Sequence, residues 1–310
     1  GYYRDAFLLY LPGAREDGGG PRAARGDKVV FKTMRHLYAG SEHAVADDDV
    51  IAARRWGPDP ADRYTFAAYK EFMRKDALVL ELLSATPRAI DLYAHCAMSS
   101  VVEFAGGDME EALLPTLGFP PRRVRGGDAD FEGRPLNAEL APAEKLAVAL
   151  EMAKCLAVMH GHPGGPIVNN DIQIGQFYRG EDGRIKIVDY NRAEFPFYDE
   201  EHGRYCKYRN GMQGNWVVRA PEESVDAPLT EKLDVYSLGN VLFCVMTGQL
   251  TKGEHDQAYH EPEDPGARPR GTPLVRDRSG EIPAFCHATP GLDRLARVVA
   301  ACWTYAPEAR

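Results

Sequence analysis

The chain has 310 residues, 44% of them hydrophobic and 27% charged, which is ordinary for a globular protein and enough for one large domain or two modest ones with a shared cleft. Its 37 basic and 46 acidic residues leave a net charge of −9, which argues against nucleic acid or an anionic membrane surface as the main partner. No run of about 18 apolar residues and no signal-peptide pattern at residue 1 are present; the chain opens abruptly in GYYRDAFLLYL, so a targeting segment can lie outside it.

In chain order, residues 5–11 and 28–34 are short, β-branched or aromatic runs and are expected to be strands. The Gly/Arg-rich stretch between them reads as an exposed loop, and the polar residues 36–63 as an irregular insertion. Residues 65–83 carry apolar side chains at helical spacing, Phe72, Leu78 and Leu82 with Met73, Ala77 and Leu80 beside them. Strands are expected at 89–95 and 100–105. A second insertion, rich in Pro, Gly and Arg, covers 115–137. Residues 142–160 form a helix apolar on most faces and hence buried, with Pro142 suited to its first turn. Two short strands are expected at 173–178 and 184–188, then a long polar segment to 219, an apolar helix over 231–247 and a last helix over 291–303. No internal repeat is present.

The six cysteines form no C-x-x-C pair and several sit in apolar runs, which favours small buried hydrophobes in a reducing compartment. His160 and His162 lack nearby acidic or cysteine partners in sequence, so no metal site is expected there.

Five segments stand in an order and spacing that resemble the eukaryotic protein kinase catalytic domain. Val29-Val30-Phe31-Lys32 stands where that family has V-A-I-K, and Asn169-Asn170-Asp171 with Gln176 five residues beyond the aspartate stands for H-R-D-L-x-x-x-N. Asp189-Tyr190-Asn191 stands for D-F-G, and Ala220-Pro221-Glu222 for A-P-E. Gly1-Tyr2-Tyr3-Arg4 resembles the end of the Gly-rich loop, with Arg4 at a glycine position. The resemblance spans essentially the whole chain. It implies an α+β, bilobal kinase fold: residues 1–105 as an N-terminal lobe of five strands and one helix, and 106–310 as a larger, mainly helical lobe.

It also implies roles. Lys32 would neutralise nucleotide phosphate charge; alone, it could equally be a surface lysine on an edge strand. Its expected acidic partner is Asp76, one methylene shorter than the usual glutamate; Glu71 and Glu81 are rivals, each five residues away and off the Asp76 face. Val102 would be the gatekeeper, and backbone groups of Glu103 and Ala105 would hydrogen-bond the adenine, with Gly1 and Arg4 near the phosphates. Asp171 would be the base that accepts the substrate hydroxyl proton, and Gln173, in place of a lysine, would reach the γ-phosphate without supplying charge. As an alternative, Asp171 is a turn aspartate capping backbone amides. Asp189 and Gln176 would hold Mg²⁺, and a buried Asp189 would need a metal or donor to compensate it. Asn191 would tolerate the positive φ of a glycine position. Asp234 would tether the catalytic-loop backbone, and Glu222 would pair with Arg310.

Asn170 replaces the arginine that in this family often binds a phosphorylated loop residue, so that switch is expected to be absent. Residues 189–219 contain Tyr198, Tyr205 and Tyr208 but no Ser or Thr, so any phosphorylation there must fall on tyrosine. The resemblance therefore implies an ATP- and Mg²⁺-dependent kinase acting on a protein substrate, cytoplasmic or facing the cytoplasm, with no nucleic-acid partner and no membrane contact visible. A catalytically impaired pseudokinase is the alternative, favoured by Asn169-Asn170, Gln173, Gln176 and the missing glycine.

Overall fold

The structure is a computed structural model that describes residues 4–10, 28–34, 58–84, 86–114, 116–117, 122–123, 134–206, 208, 219–224, 228–251 and 278–310. The chain divides into two compact units, Gly1–Gly106 with Val188–Arg192, and Gly107–Ile187 with Ala193–Arg310. The segment Val188–Arg192, which the sequence reading assigned to the second part, thus groups with the first.

The first unit is a four-stranded antiparallel sheet and one helix. The strands are β1 (Arg4–Tyr10), β2 (Lys28–Met34), β3 (Leu92–Cys96) and β4 (Ser99–Glu103), in the order β1-β2-β4-β3. Five strands were expected, the fifth from the family pattern without a segment assigned to it; four are present among the described residues. The β2–β4 register sets Val30 opposite Val102 and Lys32 opposite Ser100. Because side chains alternate faces, these four residues share one face of the sheet.

The helix α1 runs from Pro58 to Leu83, beginning inside the stretch expected to be irregular. From residue 70 onward its buried residues are Met73, Asp76, Ala77, Val79, Leu80 and Leu83, whereas Leu78 and Leu82 are each 40% exposed. Of the expected set, Met73, Ala77 and Leu80 are buried while Leu78 and Leu82 are not, so the stripe is centred away from Leu78 and Leu82. The buried set follows i, i+3, i+4, i+7 from Met73, and a polar residue, Asp76, occupies one of its positions. Counting apolar residues alone could not find a face that includes a carboxylate.

The second unit is mainly helical. Its elements are β5 (Gly107–Asp108), α2 (Met109–Leu113), β6 (Thr116–Leu117), β7 (Arg122–Arg123), α3 (Pro142–His160), β8 (Phe177–Arg179), β9 (Ile185–Ile187), β10 (Tyr198–Asp199), β11 (Arg204–Tyr205), α4 (Lys232–Thr247), α5 (Ala284–Ala288) and α6 (Leu292–Cys302). The strand expected at 173–178 is shorter: Ile174–Gln176 form a 3-10 turn and only Phe177–Arg179 pair, with β5 on one side and β9 on the other.

Helix α4 is buried from Leu233 to Thr247 except at Val235. It ends on Gly248 at φ 75°, a left-handed C-cap that glycine adopts without strain. Gly239 lets α4 approach Trp303 at the end of α6: a Cβ there would lie 2.8 Å from the indole. Arg278, on which the sequence reading is silent, is buried at 2% exposure, lies 4.1 Å over the Trp303 ring and donates to Asn240 Oδ1, which also accepts from the indole N–H. Asn137, at the end of the stretch expected to be a surface insertion, is buried and donates to the carbonyls of Leu113 and Val245.

Helix α3 carries one buried charge. Lys145 is 1% exposed and donates to Asn137 Oδ1 and Met246 O. Burial pulls its ammonium down to about 8. The sign follows from linkage. A lysine that loses its proton more easily when folded costs stability fully below about pH 8, and the cost is relieved as pH rises toward the unfolded value. Lys145→Met lacks this dependence. The stability of the wild type relative to Lys145→Met should therefore rise between pH 8 and 10, by on the order of 2–3 kcal/mol. Urea titrations of the two chains at matched pH check this, and a flat difference would refute it.

Candidate active site

In the first unit, three segments distant in sequence converge. Lys32 lies on an inner strand, not an edge, and is 9% exposed, which removes the surface-lysine reading. Its Nζ donates to Val188 O at 2.6 Å and lies 3.5 Å from Asp76 Oδ2. Asp76 is 2% exposed, and its other oxygen accepts from the Tyr190 N–H at 2.8 Å. A carboxylate so buried is costly unless charge and hydrogen bonds compensate it, and this one has both. The rivals are elsewhere: Glu71 pairs with Arg74 on the exposed face, and Glu81 is exposed.

The Asp189-Tyr190-Asn191 turn is closed locally. Asp189 Oδ1 accepts from the Asn191 N–H at 3.0 Å, the Asx-turn pattern. Asn191 was expected at positive φ, but it is not among the left-handed residues; the Asx bond closes the turn without that conformation. Tyr190 is buried at 1%, while Asp189, expected to be buried, is only partly so.

Of the expected adenine-contacting residues, Val102 is fully buried on the Lys32 face. The Glu103 N–H donates to Asp91 O at 2.9 Å and its carboxylate accepts from the Asp91 N–H. Ala105 is partly exposed. Gly1 lies outside the described residues, and Arg4 is placed only as the first residue of β1.

In the second unit, the loop after α3 is fastened by Asp234, which is completely buried on α4. Its carboxylate accepts from Asn169 N at 2.7 Å and Asn170 N at 2.9 Å, and lies 3.1 Å from His160 Nε2. Asn169 Oδ1 accepts from the Asp171 N–H at 3.0 Å. Asn169 thus caps the amide of Asp171 itself. Asn170 adopts φ 63°, and asparagine is among the side chains that best tolerate it. Its Oδ1 accepts from the Tyr208 hydroxyl at 3.1 Å. Burial pushes that phenol well above its ordinary range, so it stays protonated and a donor.

Gln176 Nε2 lies 3.5 Å from Asp171 Oδ2, and Gln173 is exposed. Arg219 reaches the same loop, with Nη1 donating to Asn170 O at 2.6 Å and Nη2 3.8 Å from Asp171 Oδ1. Glu222 and Arg310 form a bidentate ion pair at 2.6 and 2.8 Å. The structure thus brings together Lys32 with Asp76 and the Asp189 turn, Asp171 with Gln176 and the Asp234-held loop, and Glu222 with Arg310. The sequence reading missed His160, Arg219 and Glu223. For Arg219 the only signal was adjacency to Ala220-Pro221-Glu222.

Among the described residues no group of three or more His, Cys, Asp or Glu side chains forms a metal cage. Asp189 in the first unit carries a carboxylate and Gln176 in the second an amide oxygen, each a hard donor of the kind that Mg²⁺ accepts.

No family model matches the chain. Its sequence is similar to plant protein kinases at low identity. A leucine-rich repeat receptor-like protein kinase of Arabidopsis thaliana is 26% identical over 262 residues, covering 78% of this chain and 27% of the relative. From the same plant, wall-associated receptor kinase 3 is 29% identical over 119 residues, covering 38% of this chain and 15% of the relative. The PTI1-like tyrosine-protein kinase 1 is 30% identical over 105 residues, covering 34% and 28%. The chain spans less than a third of the length of these relatives. The α+β fold with antiparallel sheets is consistent with this similarity. No helix among the described residues is long and apolar enough to cross a membrane.

Proposed function

We propose that the chain is a protein kinase domain, transferring the ATP γ-phosphoryl group to a hydroxyl of a protein substrate. The observation that carries this reading is the buried Lys32–Asp76 pair joined to the Asp189 turn through Tyr190 N–H and Val188 O. A sequence that had lost nucleotide chemistry has no need to keep a lysine, an aspartate and a second aspartate's turn in register across 156 residues.

Each residue has a task. Lys32 presents positive charge to nucleotide phosphates while Asp76 holds it in place. Val102 and backbone groups of Glu103 and Ala105 face the purine. Asp171 takes the proton from the acceptor hydroxyl, and Asp234 fixes the loop that aims it. Bound Mg²⁺ would neutralise phosphate charge, with Asp189 and Gln176 as its protein ligands. By the same reading, residues 1–105 and 106–310 are the two lobes of one kinase domain, and the domain sits in or faces the cytoplasm. One feature favours the pseudokinase alternative: Gln173, exposed in the loop, brings no charge where the resemblance implies a lysine.

The deciding experiment is transfer of labelled phosphate from ATP to a generic protein substrate; the wild type should transfer it, and absence of transfer by the wild type sinks the enzyme reading. A binding experiment accompanies it. Saturating Mg-ATP should stabilise the wild type, by about 2.7 kcal/mol at a hundredfold excess over Kd. In Lys32→Met this ligand-dependent gain should shrink severalfold. The gain, rather than the absolute midpoint, is the readout, because removing Lys32 also strands Asp76. An undiminished gain would remove Lys32 from the nucleotide site.

A further inference from the structure

The loop 169–176 contains no basic residue, yet a guanidinium lies against it. We propose that Arg219 is a positioning residue for Asp171, providing from the segment before Ala220 the fixed cation that the loop lacks; this rests on the reading of Asp171 as the proton acceptor.

The peptide plane between Asn170 and Asp171 sets the direction of the Asp171 side chain. Both of its polar groups are tied. The carbonyl of Asn170 accepts from Arg219 Nη1 at 2.6 Å, and the N–H of Asp171 donates to Asn169 Oδ1 at 3.0 Å. The preceding residue is left-handed, at φ 63°, a conformation that needs outside support to persist. With Asp234 on the Asn170 N–H and Arg219 on its carbonyl, that support comes from both sides.

Arg219 is itself immobilised. Its side chain is 14% exposed, and its Nη1 lies 3.6 Å from Glu223 Oε2, a carboxylate with no exposure that also accepts from the Ala220 N–H. The second arm, Nη2, stands 3.8 Å from Asp171 Oδ1. That is an ion-pair distance rather than a hydrogen bond, so the arm orients the carboxylate without engaging it as a donor would. Arginine suits this place because its planar fork serves a carbonyl and two carboxylates at once, which a lysine point charge does less well.

The competing account is purely structural: Arg219 exists to neutralise buried Glu223. A set of variants separates the two. Arg219→Met should lower kcat by about 10–100-fold with KM for ATP little changed, because misdirecting a reacting group costs rate rather than binding. Arg219→Lys should recover part of kcat. Arg219→Met combined with Glu223→Gln removes the stranded carboxylate, and should regain the wild-type melting temperature without regaining kcat. If the double variant regains both, Arg219 serves only Glu223 and the proposal is overturned. Hydrogen exchange over residues 166–178 judges the proposal independently of turnover. Faster exchange in the double variant, with α3 and α4 unchanged, supports Arg219 as the clamp of the loop; unchanged exchange overturns it. A wild type without turnover but with this loosened loop would sink the kinase reading alone.

Discussion

Asp171→Asn is expected to bind Mg-ATP as the wild type does and to transfer phosphate about 10²–10⁴-fold more slowly, the range for loss of a positioned general base. Asparagine keeps the shape of the side chain and its place beside Arg219 and Gln176, and removes only the charge and the proton-accepting capacity. The loop should survive the change. The bonds that hold it belong to other groups: Asp234 on the Asn169 and Asn170 amides, Asn169 on the Asp171 amide, Arg219 and Tyr208 on Asn170. The measurement is steady-state transfer to a protein substrate together with the nucleotide-induced shift in melting temperature. Transfer that survives the substitution would show that Asp171 is not the base. Loss of nucleotide binding along with transfer would show that its charge acts on the ligand instead.

The largest effect on stability is expected at Arg310. Its side chain has no exposure and makes five hydrogen bonds, two to the Glu222 carboxylate and one each to the carbonyls of Lys232, Thr304 and Tyr305. The guanidinium also lies 4.8 Å over the Tyr236 ring. Arg310→Met leaves the Glu222 carboxylate, 4% exposed, without this counter-ion and takes one donor from each of three carbonyls. Breaking one side of such a buried pair costs about 3–5 kcal/mol, more than the intact pair contributes, because the penalty is that of the stranded charge. Arg310→Met should therefore unfold at markedly lower urea concentration, and adding Glu222→Gln should restore part of the loss. A loss under about 1 kcal/mol, the scale of an exposed pair, would mean that water reaches Glu222. The consequence extends to the site, since Glu222 sits in the 3-10 turn Pro221–Ser224, which directly follows Arg219 and Ala220.

Much of this was legible from the chain alone. Helix α3 falls at the boundaries expected, and α4 and α6 begin within a residue of them, because each carries a long, strongly apolar pattern with a proline or glycine at an end. Strands β2 and β9 were marked by β-branched runs. The stripe of α1 was read in part: Met73, Ala77 and Leu80 are buried as expected, but its centre was misplaced toward Leu78 and Leu82, because one of its buried positions is an aspartate and a polar residue carries no weight in an apolar count. The strand at 173–178 was overextended because a 3-10 turn and a strand end look alike over three residues.

The site divides in the same way. The sequence by itself determined which chemical groups are present: a lysine in a strand, an aspartate in a polar loop, an aspartate after an apolar strand, and an acid and an arginine near the end of the chain. Those are local facts, set by residue type and by spacing within one element. Only the tertiary structure decided which groups answer one another. It selected Asp76 over Glu71 and Glu81 for Lys32, because helix rotation and strand register jointly turn that one carboxylate inward. It put the left-handed residue at Asn170 and not at Asn191, because Asp234 and Arg219 hold the first while an Asx bond closes the turn at the second. It brought Arg219 to Asp171 across 48 residues of chain. Pairings of this kind depend on the burial and direction of both partners, and neither quantity is encoded in the residues between them.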